Sequence, residues 1–268
     1  MQPPVMHRSL PIRPSRPCAL ITMAIGRLRY AECTLPLMRQ WAEREGWDFI
    51  VLNQRRLFHN PNWPRRRFGL HVEKFQIHEL MDQYERVLYM DADILVHPSA
   101  PSPFELVPPE AIGGVWDDTG PDAWKREHAL ARMASSCGAP PFPPRTGPRF
   151  LNAGVLVMSA AHRPLWTFDR KAFVRGRWPD QSLFNYRVHA AGVPVHELPE
   201  TFNLMPLHHD AWDEREVRQS AFLVHYASQP AKRTLFDDLP YFENAWARAA
   251  GREPSAEPAV FSSLPQPI

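Results

Sequence analysis

Asp91 and Asp93 stand two residues apart at the end of an apolar run, Val87 to Met90, and are followed by Ile94, Leu95 and Val96. The run is short, continuous and β-prone, as a strand buried on both faces is, and open α/β sheets bind ligands outside the carboxyl ends of such strands. Two ionised carboxylates placed there repel each other in a medium of lower dielectric than water, and a divalent cation removes that cost. The residue types and their spacing therefore suit a metal site. They also suit a strand end whose carboxylates cap a turn, and an Asp-x-Asp triplet alone does not separate the two readings.

The elements that must position the pair can be read outward from it. Ala19 to Thr22 forms a first strand, and Ala31, Leu35, Met38 and Ala42 fall on one face of a helix closed by Gly46. Trp47 to Leu52 makes a second strand. Ile77, Leu80, Met81 and Tyr84 mark one face of a second helix that feeds the Asp-x-Asp strand. This order predicts a mostly parallel, Rossmann-like α/β sheet of nucleotide-binding type. Further along, Ala111 to Trp116 reads as a strand, Trp124 to Ser136 as a polar helix and Gly138 to Pro148 as a Pro-rich loop. Residues 150–158, FLNAGVLVM, read as a buried strand, Ala161 to Val174 as a helix, and Val193 to Glu197 and Phe222 to Tyr226 as strands that complete the core.

With 268 residues, 44% hydrophobic and 22% charged, the chain is expected to form one large soluble domain over 18–250, flanked by disordered segments at 1–17 and 251–268. No apolar run approaches the roughly 18 to 20 residues of a membrane span. The first fourteen residues hold Pro3, Pro4, Pro11 and Pro14 and no apolar stretch, so no secretory signal is expected there. Cys18, Cys33 and Cys137 have no metal-ligand spacing and cannot all pair, so a reducing compartment, the cytoplasm, is expected. A net charge of +2 is too small for a nucleic-acid binder. Arg55, Arg56, Arg65, Arg66 and Arg67 crowd one loop, either as a solvated basic segment or as a contact with phosphate, an acidic glycan or the inner face of a membrane.

Five further segments join the Asp pair in a fixed order: Tyr30 after the first strand, Lys74 ahead of Asp91-Ala92-Asp93, then Asn152-Ala153-Gly154, Asp180-Gln181 and His225-Tyr226. Over roughly Ala19 to Lys232 this order resembles the retaining glycosyltransferases of family eight, which include glycogenin and bacterial lipopolysaccharide galactosyl- and glucosyltransferases. The resemblance implies a single GT-A-type domain. It implies that Asp91, Asp93 and His225 hold Mn²⁺, with Mg²⁺ as the other candidate, against the diphosphate of a nucleotide sugar, expected to be a UDP-sugar. One imidazole among oxygen ligands shifts preference from magnesium toward manganese.

The resemblance also implies donor contacts for Thr22, Ala24, Tyr30, Lys74, Ala92, Asn152, Ala153, Gly154 and Ser228. Tyr30 would stack on the base, the amide of Asn152 would read a sugar hydroxyl, and small Ala153 and Gly154 would let the chain pass close to the sugar. Asp180 and Gln181 would address the sugar, Gln181 near the anomeric carbon, and Lys232 would clamp the diphosphate. Here the sequence departs from the family pattern. Ser228 stands where the family has glycine, Lys232 comes one residue late, Arg233 replaces a proline, and no Asp or Asn lies near Arg27 to Arg29. A loop needing φ > 0 would resist Ser228. Asp180 also suits a helix N-cap.

The implied activity is transfer of a hexose to a hydroxyl of a glycan, lipid-linked or protein acceptor, with retention. Two other readings share features with it. A phosphatase with Asp-x-Asp after an apolar strand normally places it near the N-terminus, with Thr or Val where Leu95 stands. A catalytically inactive binding protein of the same fold would carry the same pattern. The stretch Trp116 to Pro148 holds no motif that names an acceptor.

Overall fold

The computed structural model describes residues 18–57, 69–118, 123–139, 149–168, 178–206 and 212–254. Its strands are β1 (Cys18–Met23), β2 (Asp48–Leu52), β3 (Arg86–Asp91), β4 (Ile94–Val96), β5 (Ile112–Gly114), β6 (Val155–Ser159), β7 (Val195–Glu197) and β8 (Leu223–His225). The helices are α1 (Arg29–Glu45), α2 (Ile77–Leu80), α3 (Ala123–Ser136), α4 (Pro179–Ala190), α5 (Arg215–Ser220) and α6 (Gln229–Ala249).

Six strands form one sheet in the order β2-β1-β3-β6-β5-β7. The ladders β1–β2, β1–β3 and β5–β7 are parallel, while β6 runs antiparallel to both β3 and β5. One reversed strand among five aligned ones is the mostly parallel α/β sheet expected from the strand-helix order. Side-chain alternation splits the core between the two faces of this sheet. Leu20, Leu88, Val155 and Val157 face α1 and α6, where Trp41, Phe242 and Trp246 pack. Ala19, Ile21, Val87, Tyr89, Leu156 and Met158 face Phe75, Trp166, Phe184 and Val188. Because both faces are covered, β3 and β6 read as unbroken apolar runs. Cutting Leu88, which has no exposed surface, to alanine would cost roughly 2–5 kcal/mol.

Helix α1 ends at Gly46, whose φ of 73° lets the next amide, that of Trp47, turn back to the Ala42 carbonyl at 2.8 Å. The buried stripe is Ala31, Leu37, Met38, Trp41 and Ala42, and Leu35 is only partly covered.

Several elements differ from the sequence expectation. The strand expected over Phe222 to Tyr226 lies outside the main sheet, because β8 pairs antiparallel with β4 in a separate two-stranded ribbon. Of the run 150–158, only Val155 onward is strand, and Asn152 to Gly154 turn into it. The strand expected to reach Trp116 ends at Gly114, beyond which Trp116 makes a single bridge to Leu151. The helix expected over Ala161 to Val174 is a 3-10 helix, Ala160–Trp166, with Pro164 inside it. Residues 169–174 of that helix lie outside the described residues. The helix before β3 begins as a 3-10 helix, His71–Gln76, and α2 stops at Leu80, leaving Tyr84 beyond it. Helices α5 and α6 were not anticipated. The segments 1–17 and 255–268, and Arg65, Arg66 and Arg67, also lie outside the described residues. Arg56 is described, and it pairs with Glu79 at 3.4 Å.

Candidate active site

The aligned strands point their carboxyl ends at one rim of the sheet, where a cavity of about 380 Å³ opens. Strand β3 ends in Asp91, and the turn through Ala92 and Asp93 leads directly into β4. Two contacts pin this turn: the Thr34 hydroxyl of α1 donates to the Ala92 carbonyl at 2.6 Å, and the Asp91 amide donates to the Gly154 carbonyl at 2.8 Å. The β4–β8 ribbon then delivers the third group. His225 stands opposite Ile94, and the Tyr226 amide donates to the Asp93 carbonyl at 2.9 Å.

Asp91, Asp93 and His225 come together so that one ligand atom from each lies within 4.8 Å of the other two. His225 Nε2 is 3.3 Å from Asp93 Oδ1 and 3.8 Å from Asp91 Oδ2. Two carboxylates and one imidazole nitrogen facing a common point are a donor set for a divalent cation, and the residues present fit one. Lys232 donates to Asp93 Oδ2 and, at 3.1 Å, to the Tyr226 carbonyl. Burial pushes the Asp93 carboxyl up, but His225 and Lys232 overcome it and hold the group well below the usual carboxylate range. Tyr89 donates to Asp91 Oδ1 at 2.7 Å, and burial beside Asp91 raises its phenol well above the ordinary tyrosine value.

Lys74 is buried rather than on the surface. Its ammonium lies 3.2 Å from Asp91 Oδ1, 3.2 Å from Asp180 Oδ2 and 3.0 Å from the Ala153 carbonyl. Burial lowers its pKa, and the two carboxylates more than offset that, leaving it raised. Burial likewise raises Asp180, but Lys74 and His71 reverse the sign and its pKa is lowered. Asp180 sits in the first turn of α4 without capping it, since Trp178 is the N-cap. Trp178 has φ 50°, the only positive φ outside glycine among the described residues.

Asp117, Arg126 and Asn203 had no place in the sequence reading. Asp117 follows β5 at the same rim and accepts from Arg126 Nη2 at 2.6 Å, Asn152 Nδ2 at 3.1 Å and Gln181 Nε2 at 3.2 Å. Gln181 thus turns its nitrogen to Asp117, which leaves Oε1 as the end for the cavity it lines. Arg126 is 1% exposed, stacks on Trp178 at 5.0 Å and leaves Nε and Nη1 buried without a hydrogen bond. The Asn152 amide is engaged at both ends, its Oδ1 accepting from the Gly154 amide at 2.7 Å and from Asn203 Nδ2 at 3.0 Å.

The remaining expected contacts are placed as follows. Tyr30 lines the cavity with the Lys232 ammonium 5.3 Å from its ring centre. Ala92 and Ser228 line it too. Ser228 has φ −143°, so no glycine is needed there, and it caps α6 by accepting from the Ala231 amide at 3.2 Å. Its own amide donates to the Tyr226 carbonyl at 2.9 Å. Thr22 is buried inside β1 with its hydroxyl unpartnered, and the Ala24 amide donates to the Leu52 carbonyl. Neither these two nor Ala153 is part of the cavity wall. Gly154 leaves room for His225: a Cβ there would lie 2.3 Å from the ring carbon Cε1.

No protein-family model and no curated protein matches the sequence. Solved structures do match the fold. A glycosyltransferase involved in glycosylation of the major capsid of PBCV-1 superposes with TM-score 0.54 at 13% identity, over 81% of this chain and 98% of that one. The bifunctional glycosyltransferase WbbM gives 0.52 at 14%, over 92% of this chain, which spans 53% of WbbM. An active-site mutant of LgtC gives 0.51 at 16%, over 82% and 94%. The α/β domain described here therefore has the GT-A glycosyltransferase fold.

Proposed function

We propose that the chain is a hexosyltransferase that moves a sugar from a nucleotide diphosphate donor, UDP being the expected carrier, to an acceptor hydroxyl with retention at the anomeric carbon. The observation that carries this reading is the convergence of Asp91, Asp93 and His225 within 4.8 Å at the carboxyl rim of a glycosyltransferase fold. A divalent cation held by these three, Mn²⁺ before Mg²⁺ because of the imidazole, would supply Lewis-acid stabilisation of a departing diphosphate.

The chain's own residues supply the rest. Lys232 carries a positive charge to the same place. Tyr30 offers a ring for the base, stacking that contributes roughly 1–3 kcal/mol in single-strand binding proteins. Lys74 holds Asp91 and Asp180 in fixed positions, so Asp180 meets sugar hydroxyls from a rigid mount. Gln181 presents an oxygen, which suits an oxocarbenium-like transition state. The other cavity carboxylates, Asp117 and Asp180, are each paired with a buried cation, Arg126 and Lys74. That pairing disfavours a covalent carboxylate nucleophile and favours front-face departure and attack on one side of the sugar.

A glycan, lipid-linked or protein acceptor fits this chemistry. The free thiols of Cys18, Cys33 and Cys137 support a cytoplasmic setting, and no described helix is long and apolar enough to cross a membrane. Contact with an inner membrane face would fall to the basic segment containing Arg55 and Arg56.

A screen of nucleotide sugars for Mn²⁺-dependent hydrolysis tests the reading without an acceptor. At least one donor should be hydrolysed faster with Mn²⁺ than in EDTA. Equal rates for every donor would sink it.

A further inference from the structure

Two asparagines connect Asp117 to His225. Asn152 donates from Nδ2 to Asp117 and accepts at Oδ1 from the Gly154 amide and from Asn203 Nδ2. Asn203 then meets His225 Nδ1 with its Oδ1 at 2.9 Å. Asp117, Asn152, Asn203 and His225 are all at most 6% exposed, so these bonds are buried at the floor of the cavity.

The chain of bonds has only one direction. A carboxylate paired with a guanidinium accepts, so the nitrogen of Asn152 must face Asp117. A peptide N–H only donates, so the oxygen of Asn152 must face Gly154. These two contacts fix the same orientation independently. The oxygen of Asn152 then requires the nitrogen of Asn203, which turns the oxygen of Asn203 toward His225. An acceptor at that distance requires the proton on Nδ1. In the neutral ring Nε2 is left with its lone pair, and Nε2 is the atom that faces Asp91 and Asp93.

We propose that Asn203, oriented through Asn152, is a positioning residue that fixes the tautomer of His225 and keeps Nε2 bare for a divalent cation. A ligating imidazole that donates its other N–H to a fixed acceptor binds metal more tightly, and losing that acceptor typically costs about 10–100-fold. The inference rests on the metal-site reading above for its consequence, but the tautomer is observable without metal. Arg126 marks the cost accepted at the far end, where two buried guanidinium nitrogens, Nε and Nη1, go without a hydrogen bond while Nη2 holds Asp117.

The experiment joins two measurements on the full chain, on Asn203→Leu and on Asn203→Asp. The first is ¹⁵N NMR of the His225 ring without metal, at a pH where it is neutral. The second is calorimetry with Mn²⁺ alone. Wild type should carry the proton on Nδ1. Asn203→Leu should show mixed tautomers and bind Mn²⁺ about tenfold or more weakly, whereas Asn203→Asp, still an acceptor for Nδ1–H, should stay within about threefold of wild type. A mere packing role would order the variants the other way, because a carboxylate facing Asn152 Oδ1 disturbs the interior more than leucine does. A proton on Nε2 in wild type overturns the proposal, as does wild-type Mn²⁺ affinity in Asn203→Leu or equal weakness in both variants. If Asn203→Leu does not fold, the ring spectra of wild type and Asn203→Asp decide. Should Nδ1 carry the proton while wild type binds no Mn²⁺, the tautomer assignment stands and the metal reading falls.

Discussion

The His225 ring occupies the space that a side chain on Gly154 would need, with Cε1 at 2.3 Å and Nδ1 at 2.7 Å from the Cβ position. The φ of Gly154 is not positive, so the demand is for space alone. The backbone beneath the ring is held by the β4–β8 ladder and by the Tyr226 amide on the Asp93 carbonyl, and the ring itself by Asn203 at Nδ1. Gly154→Ala should displace His225, weakening Mn²⁺ binding on the order of tenfold and costing about 1–3 kcal/mol of stability. Calorimetry and thermal melting of the variant check both; unchanged Mn²⁺ affinity would show that the ring is no ligand.

Asp93→Asn preserves shape and removes one charge from the donor set. The protein should fold, and the rate of sugar transfer or donor hydrolysis should fall on the order of a hundredfold or more, since cation stabilisation of a leaving group is worth several kcal/mol. His225→Ala should cost less and shift preference from Mn²⁺ toward Mg²⁺, because the remaining ligands are oxygen. Wild-type turnover by Asp93→Asn would make the pair a structural turn.

Gln181 touches Asp117 with its nitrogen and offers its oxygen to the cavity. Gln181→Ala should therefore lower kcat by about tenfold or more with UDP affinity unchanged, the mark of an interaction made in the transition state. Parallel losses in both would place Gln181 at the nucleotide instead.

Asp180 has its pKa lowered in the folded protein, net of burial, by Lys74 and His71. Its contribution to stability is fully present above its ordinary pKa of 3.8 and is lost as pH falls through the lower folded value. Asp180→Asn should consequently flatten the acid limb of the melting curve below about pH 4. Melting temperatures from pH 7 down to about pH 2 read this directly; an acid limb as steep in the variant as in wild type would contradict the assignment.

The strand-helix order up to Asp93 was legible because apolar runs, a 3.6-residue stripe and Gly46 mark it strongly. The Asp pair was legible for the same reason: a carboxylate directly after an apolar strand is conspicuous. Asp117 carries the same signal, standing directly after Trp116 where the expected strand ended, and was passed over although the rule that marked Asp91 applied to it; the strand itself stops at Gly114. Asn203 lies between buried Phe202 and Leu204, where a lone amide looks like a loop residue. Lys74 was placed in the sequence, but its burial was not readable, since Glu73, Lys74 and Gln76 are all buried in a polar-looking 3-10 helix. The β4–β8 ribbon was missed because its strands are as apolar as those of the main sheet, and pairing partners leave no mark on a single strand. Pro164 was the available sign that the segment after β6 would not continue as an α-helix.

The reversal of β6 lets one rim serve the whole site, with β1, β3 and β5 arriving at their carboxyl ends and β6 departing from its start. From Arg86 to Asp91 the chain climbs about 16 Å at roughly 3.3 Å per residue. The opposite rim, where exposed Asp82 and Gln83 precede β3, is thereby insulated from the chemistry. A dye or surface linker attached there would leave the mouth of the cavity open, and the protein tethered through that rim would present the Asp91–Asp93–His225 cluster to solution.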